Sequence, residues 1–294
     1  TVTDEYDRRV TSFLKYTKRF AEKRQKRWIF ILTKRKDPYM QILCIGDVVG
    51  SHGCDFLRRT LPPSSAQGID VVIANGENSS DGNGITPASA NHLLDSGVDI
   101  ITTGNHTYRR REFYDYIDES DCVIRPANFP PEAPGKGMTV LDLGRTQIAV
   151  INLMGNVYLD EHLACPFRTL DTLLKTPDLP KICIVDSAEA TGEKRAFGYY
   201  ADGRVSAVFG THTHVQTADE TVLPKGTGYI TDAAMTGPIN SVLGVRAELV
   251  IQKADKQNAR AVDFADGPCK LDCILFDIDE KTGLTRSTER FSLR

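Results

Sequence analysis

The chain of 294 residues is 40% hydrophobic and 26% charged, with a formal net charge of −3. This is the composition of a globular protein with one large core or two modest ones, and it excludes a disordered, collagen-like or coiled-coil chain. No run of about 18 apolar residues occurs, so the sequence predicts no membrane span. The seven cysteines are scattered without a C-x-x-C pair. Such cysteine usage indicates reduced thiols and predicts a cytoplasmic protein.

The charge is unevenly distributed along the chain. Residues 1–39 contain twelve Lys or Arg and five Asp or Glu, a net charge of +7, which leaves −10 on residues 40–294. We expect a basic N-terminal extension over 1–39, solvated and only partly ordered, attached to a folded domain over 40–294. An arm for a membrane surface or for nucleic acid is the alternative. The acidic domain argues against a general nucleic-acid-binding surface.

In the first half of that domain, short apolar runs alternate with helical segments. The predicted strands cover 41–45, 70–74 and 98–103, and the predicted helices cover 54–61, 87–96 and 110–117. Thr86 is a plausible N-cap, because Pro87 follows it at the first helical position. A polar cluster follows each strand, at intervals of 30 and 28 residues, which is the length of one βαβ unit. Right-handed crossovers would place the three clusters at the same edge of a parallel sheet.

The second half of the domain has a different pattern. Further short strands are predicted over 138–143, 147–152, 181–185, 205–209 and 228–231, and a terminal hairpin over 271–277 and 284–292. Gly144-Arg145-Thr146 separates the first two of these strands, as in a hairpin. We therefore expect an α/β protein that is parallel at first and more antiparallel later. Two packed sheets with helices outside would satisfy this pattern.

Four polar clusters at strand ends carry residues that can bind metal. They contain Asp47, then Glu77 and Asn78, then Asn105 and His106, and finally His212 and His214. The last pair is notable because the chain has only six histidines. In an extended segment, two histidines at i and i+2 point the same way and can approach two adjacent ions. Together the clusters predict a two-metal hydrolytic centre, in which a histidine outside the ligand set could protonate the leaving oxygen.

The same segments resemble the YmdB-like branch of the calcineurin-like metallophosphoesterases. The similarity extends over roughly residues 40–253, and its motifs lie at 46–50, 75–78, 104–107, 125–130, 188–191, 210–217 and 231–238. The resemblance implies a four-layer α/β/β/α sandwich with two divalent ions, Fe or Mn in the first place and otherwise Mg or Zn. It also implies a phosphodiesterase that hydrolyses small phosphodiesters, such as 2',3'-cAMP or 3',5'-cAMP.

The resemblance also implies a role for each residue of the clusters. Asp47, Asn78 and His214 would hold one ion, and Glu77 would bridge both ions. Asn105 and His212 would hold the second ion. A hydroxide between the ions would attack phosphorus, and His106 would be the proton donor.

One position departs from the family pattern. The family has a ligand histidine where this chain has Ser187, preceded by Asp186. A serine hydroxyl is a poorer ligand than imidazole for a divalent transition metal. Water or Asp186 could fill the place, the second ion could be weakly bound or a harder metal, or the protein could have lost most of its activity. The alternative functions are therefore a phosphomonoesterase and a catalytically weakened regulatory protein that binds metal or nucleotide.

The run Arg109-Arg110-Arg111 follows His106 closely. These arginines could attract an anionic substrate to a phosphoester site, or they could be the solvated start of a helix. We favour the solvated helix start. A homo-oligomer is compatible with the sequence, which does not determine the number of subunits.

Overall fold

The computed structural model describes residues 39–61, 68–159, 163–188, 190–256 and 263–294. The basic extension lies outside this part of the chain except for Tyr39, which begins the first strand. The strands are β1 Tyr39–Ile45, β2 Asp47–Val48, β3 Val71–Asn75, β4 Ile100–Thr102, β5 Val123–Ile124, β6 Met138–Asp142, β7 Gln147–Met154, β8 Ile182–Ala188, β9 Ala207–Thr211, β10 Thr221–Val222, β11 Gly228–Ile230, β12 Met235–Pro238, β13 Cys269–Asp279 and β14 Thr285–Leu293. The helices are α1 Gly50–Thr60, α2 Pro87–Asp95, α3 Tyr114–Glu119, α4 Pro166–Leu173, α5 Thr191–Ala201 and α6 Ala247–Lys256.

The first sheet has the strand order β2-β12-β13-β1-β3-β4-β5, and β14 also pairs with β13. Strands β1, β3, β4 and β5 are mutually parallel, as the βαβ spacing predicts. Strand β13, from the C-terminal region, is antiparallel to both β1 and β12, which pair with successive parts of its length, residues 273–279 and 269–271. The predicted C-terminal hairpin therefore exists, and it is part of the first sheet.

The second sheet has the order β10-β11-β9-β8-β7-β6. The hairpin of β6 and β7 is antiparallel, as predicted, but β7, β8, β9 and β11 are parallel to one another. The expectation of a more antiparallel second half is thus wrong for this stretch. Helix α5 crosses from β8 to β9, and an intervening helix is what a parallel connection requires.

Three apolar clusters show how the sheets and helices pack. One joins the facing sides of the sheets and includes Ile42 of β1 and Ile184 of β8. Another joins the first sheet to α1, α2 and α3, with Leu57 and Leu93 on the helices. The third joins the second sheet to α4 and α5, where Phe197 is buried. The expectation of an α/β fold with two sheets is therefore confirmed.

Local features of the chain follow the sequence signals. The side chain of Thr86 accepts a hydrogen bond from the amide of Ser89, which confirms the predicted N-cap of α2.

None of the seven cysteines, all of which lie among the described residues, forms a disulfide bond. Within the described residues, no helix has the length and apolar character needed to cross a membrane.

Candidate metal centre

The four predicted clusters meet where strands of both sheets end. Asp47 lies in the short strand β2, directly after β1, and Glu77 and Asn78 follow β3. Asn105 and His106 follow β4 by a few residues. The two histidines of the H-x-H segment follow β9, which belongs to the second sheet. The cluster thus lies at the edge where the carboxyl ends of strands from the two sheets face each other.

Three of the predicted residues contact one another directly. Asn78 Nδ2 donates a hydrogen bond of 3.0 Å to Asp47 Oδ1 and lies 3.3 Å from His214 Nε2. His214 Nε2 is also 3.3 Å from Asp47 Oδ1. Asp47 is fully buried and Asn78 nearly so. The structure therefore brings together the three residues that the resemblance assigns to one ion.

Glu77 and His106 lie beside this group. The amide of His106 donates a hydrogen bond of 2.8 Å to Glu77 Oε2, and His106 Nδ1 is 2.7 Å from Asn78 Oδ1. The Asn78 oxygen can only accept, so Nδ1 carries the proton and Nε2 is the basic atom of the neutral ring. Nε2 faces the side-chain amide of Asn83 at 3.4 Å. Sequence reasoning assigned no role to Asn83, because a turn residue of the run Asp-Gly-Asn-Gly carries no signal of this contact.

The H-x-H segment is not extended. His212 and His214 have φ angles of 87° and 61°, which lie in the left-handed region. An extended backbone, the condition under which the two side chains would point the same way, is not met, because the strand ends at Thr211 and the chain turns there. The turn is held in part by Asp47, whose Oδ2 accepts a 2.9 Å hydrogen bond from the amide of His212. The Asp47 carboxylate thus contacts the side chain of His214 and the backbone of His212.

Burial and charge shift the pKa values of these groups. Burial acts to raise the pKa of Asp47, but the charge and hydrogen bond of His214 outweigh it and lower the pKa. Burial, followed by the negative charge of Asp47, raises the pKa of Glu77 to about 8. Burial lowers the pKa of His106 to about 4, and the charge of Arg109 acts in the same direction. The carboxylates of Asp47 and Glu77 thus repel each other at a buried site, and a bound cation would relieve this repulsion.

Two observations favour divalent metal ions at these residues, and two others show that the side chains would have to adjust to hold an ion. Glu77 Oε1 and Asn105 Oδ1 are buried and have no hydrogen-bond partner among the described residues. His214 Nδ1 donates a hydrogen bond of 2.9 Å to the carbonyl of Leu243, which leaves Nε2 free of a proton in the neutral ring. Within the described part of the chain, no three His, Cys, Asp or Glu side chains are arranged around a common point as metal ligands. Asn78 would also have to turn its oxygen toward an ion that Asp47 and His214 share.

Asp186 lies one layer behind the cluster. It is buried, and its carboxylate accepts hydrogen bonds from the hydroxyl groups of Thr102 and Thr211. Burial raises its pKa to about 7. Both carboxylate oxygens therefore already have protein partners, an arrangement that favours a supporting role over that of a metal ligand. The backbone of Ser187 pairs with Leu153 and Gly210, and its side chain lies outside the described parts of the structure.

Arg110, the middle residue of the triple arginine, has a structural role that neither interpretation of the sequence included. Arg110 donates hydrogen bonds to the carbonyl groups of Asp81 and Asn83, at 2.6 and 2.9 Å. Its neighbours Arg109 and Arg111 are exposed. The prediction of a solvated helix start is therefore wrong for Arg110, which fastens the loop that faces His106.

Sequence reasoning also missed a buried ion pair beneath the H-x-H segment. Lys194 Nζ lies 2.8 Å from Asp232 Oδ2, and both side chains are buried. Lys194 also donates a hydrogen bond to the carbonyl of Thr211. A lysine within a helical segment is usually solvent-exposed, so its type carried no signal. The only sequence signal was that both residues lie in or beside motifs of the resemblance.

Two facing sheets, with carboxylate, amide and imidazole groups gathered at their strand ends, define the class of metallophosphoesterase-type α/β proteins. Residues 43–291 match the family described as YmdB-like protein, and the chain belongs to this family. The resemblance drawn from the motifs is thereby confirmed, and it covers more of the chain than the motifs alone indicated.

The relatives cover nearly the same part of the chain. A 2',3'-cyclic-nucleotide 2'-phosphodiesterase of Bacillus subtilis (strain 168) is 44% identical over 254 residues, which cover 85% of this chain and 96% of the relative. The solved structure of a hypothetical protein from Thermus thermophilus has a TM-score of 0.80 and 36% identity, covering 87% of this chain and 100% of that one. That of a novel phosphatase from Mycoplasma pneumoniae has a TM-score of 0.82 and 32% identity, covering 88% and 94%.

Proposed function

We propose that this protein is a phosphodiesterase that uses two divalent metal ions and hydrolyses small cyclic phosphodiesters. It is an enzyme of the phosphoester-hydrolase type, as is the Bacillus subtilis relative that is 44% identical over 254 residues. The proposal assigns the activity to residues 40–294, in a four-layer α/β/β/α arrangement that the three apolar clusters support. The substrate class follows that relative, a 2',3'-cyclic-nucleotide 2'-phosphodiesterase, and 3',5'-cyclic nucleotides are the second candidates.

The buried cluster around Asp47 is the observation that carries this proposal. Asp47, Asn78 and His214 would hold one ion, Glu77 would bridge, and Asn105 with His212 would hold the other. The partnerless oxygen atoms of Glu77 and Asn105 support their assignment, because a buried oxygen without a donor is costly unless a ligand satisfies it. Fe and Mn suit this mixture of carboxylate, amide and imidazole ligands, and Mg or Zn are the alternatives.

Two bound ions supply a water-derived nucleophile at neutral pH and neutralise charge that develops on phosphorus. The chain's own residues position the remaining proton transfer. In this structure Asn78 accepts the Nδ1 proton of His106, which orients the ring and leaves Nε2 as its basic atom. With Asn78 turned toward an ion, its amide nitrogen would face Nδ1, so the proton of the neutral ring would lie on Nε2, from which His106 could give it to the leaving oxygen. The side-chain amide of Asn83 lies 3.4 Å from the same atom.

Hydrolysis of bis-p-nitrophenyl phosphate with added Mn²⁺ or Fe²⁺ tests the proposed activity. We expect metal-dependent turnover, and we expect His106→Ala to reduce it by about 100-fold or more. His92→Ala is the matched control, because His92 lies on α2 near Asp55 and outside the cluster. Absence of metal-dependent turnover on diesters would contradict the proposal. Turnover on monoesters alone would favour a phosphomonoesterase.

Ser187 favours a second candidate, a catalytically weakened protein that binds metal or nucleotide. The family pattern has a ligand histidine at this position, so the second ion would be held with fewer strong ligands. The amount of metal per chain in purified wild type and in Ser187→His separates the two cases. Two tightly held ions in the wild type, unchanged by the substitution, would contradict a weakened second site. A rise from one ion to two would support it.

A further inference from the structure

We propose that the buried ion pair of Lys194 and Asp232 is a positioning device that holds the H-x-H segment in its left-handed turn. Its expected effect on metal binding rests on the proposed function, whereas its effect on the segment itself does not. Neither residue belongs to the proposed ligand set. Both act through the backbone of residues 211–214.

The pair reaches the segment through two backbone groups, one on either side of His212. Lys194 donates to the carbonyl of Thr211, the last residue of β9. Asp232 Oδ2 accepts a hydrogen bond of 3.1 Å from the amide of Thr213, between the two histidines. Asp232 Oδ1 accepts one of 2.8 Å from the amide of Ala234, which precedes β12. The pair therefore ties α5, the end of β9 and the start of β12 to one point.

The segment needs such support because its backbone is unfavourable. His212 and His214 both have positive φ angles, a conformation that costs about 1 kcal/mol or more for a residue with a side chain. Such a conformation persists only when surrounding contacts fix it. The ion pair fixes Thr211 and Thr213, which alternate with the two histidines.

Close packing beneath the turn supports this assignment. A methyl group on Gly210 would lie 1.8 Å from the carbonyl oxygen of Thr231 and 2.8 Å from the lysine side chain. The backbone before the histidines thus lies directly against Lys194. Stability alone does not account for the ion pair, because desolvation of two buried charges offsets most of their attraction. An apolar pair could fill the space, but it could not bond the Thr211 carbonyl and the Thr213 amide.

The test is the double variant K194M/D232N, which keeps the side-chain volumes and removes both charges together. The single variant K194M is not suitable, because it would leave the Asp232 carboxylate buried without its partner. The control is R204M/D171N, which removes an ion pair from the surface between α4 and the region after α5. Hydrogen exchange of the Thr213 amide and Mn²⁺ affinity by calorimetry are measured on the full chain.

In K194M/D232N we expect the Thr213 amide to exchange at least about tenfold faster and Mn²⁺ affinity to fall by about 10- to 100-fold, as for other groups behind metal ligands. The amide of Ile42, in the central strand β1, should exchange as in the wild type. Wild-type exchange at Thr213 would overturn the proposal, and so would a uniform rise that includes Ile42, since that would indicate a purely global stabilising role. The control should change none of these values.

The role of the ion pair can still be tested if the double variant does not fold or if the wild-type protein binds no Mn²⁺. If K194M/D232N does not fold, the double variant K194Q/D232N takes its place, because it also removes both charges together and keeps a hydrogen-bonding group at each position. A larger increase in exchange at Thr213 than at Ile42, each relative to wild type, then supports the proposal, and equal increases overturn it. If wild-type protein binds no Mn²⁺, the proposed function fails, whereas the exchange measurement still decides whether the pair positions the segment.

Discussion

Gly104 offers a sharp test of the role of Glu77. A methyl group at Gly104 would lie 2.7 Å from both carboxylate oxygens of Glu77 and 2.9 Å from its carboxyl carbon. Ordinary van der Waals contact begins near 3.4 Å, so the carboxylate would have to retreat by about 0.7 Å. Glu77 is fully buried, and its backbone is held by its amide, which donates a hydrogen bond to Asn75 Oδ1. The substitution Gly104→Ala therefore displaces the carboxylate that we expect to bridge the two ions.

We expect this displacement to affect activity more than folding. A misplacement of about 1 Å at a reacting centre costs about 100-fold in rate, so a shift near 0.7 Å predicts a loss of at least tenfold in turnover of bis-p-nitrophenyl phosphate. Overpacking of this size costs about 1 to 3 kcal/mol of stability, which thermal unfolding would report as a modest shift. Gly192→Ala is the matched control, because a methyl group there has nothing within 4 Å.

The activity of the folded variant decides the outcome. If Gly104→Ala retains the metal content and turnover of the wild type, Glu77 either has room to move or is not part of the centre. The reasoning from the Cβ contact would then be refuted. Loss of activity in the Gly192→Ala control as well would show that the assay does not report on Glu77.

The remaining predictions concern the loop, the core and the metal. Arg110→Met should loosen residues 81–84 opposite His106 and lower turnover roughly tenfold with little change in stability; steady-state kinetics that match the wild type would contradict this. Phe276→Ala removes a fully buried ring between the two sheets and should cost about 3 to 5 kcal/mol in urea unfolding, and a loss below about 1 kcal/mol would show that the site collapses. Removal of bound metal by a chelator should lower the midpoint temperature of thermal unfolding, and added Mn²⁺ should restore it. The corresponding loss of stability is up to about 2.7 kcal/mol for an ion present at 100 times its dissociation constant, and an unchanged midpoint would contradict metal binding.

The parts of the fold that depend on neighbouring residues could be predicted from the sequence. The strand-helix alternation after Gln41 and the Thr86 cap depend on periodicity and turn chemistry, and the structure contains both. The position of β13 could not be predicted, because its pairing with β1 joins residues more than 200 positions apart. No local pattern distinguishes a terminal hairpin that stands alone from one whose first strand pairs with a sheet formed earlier in the chain.

The candidate site divides in the same way. His212 and His214 were found because an H-x-H pair is rare in a chain with six histidines. Their left-handed backbone was not predicted, since Asp47 and the ion pair below the turn fix it from distant parts of the chain. Lys194 was missed for a related reason: only the tertiary structure reveals a lysine that is buried. Arg110 likewise looked like surface charge until the loop that it fastens was visible.

The central position of β13 has a consequence for the order in which the protein can fold. Asp47 lies in β2, whose partner β12 is joined to the rest of its sheet by β13. The amide of Gly46, directly before Asp47, donates its hydrogen bond to the carbonyl of Asp272. A ribosome that has released the chain only as far as β11 has therefore not supplied the strands that fix Asp47. Such long-range pairing is slow, and we expect the proposed metal ligands to come together only after β13 has been synthesised.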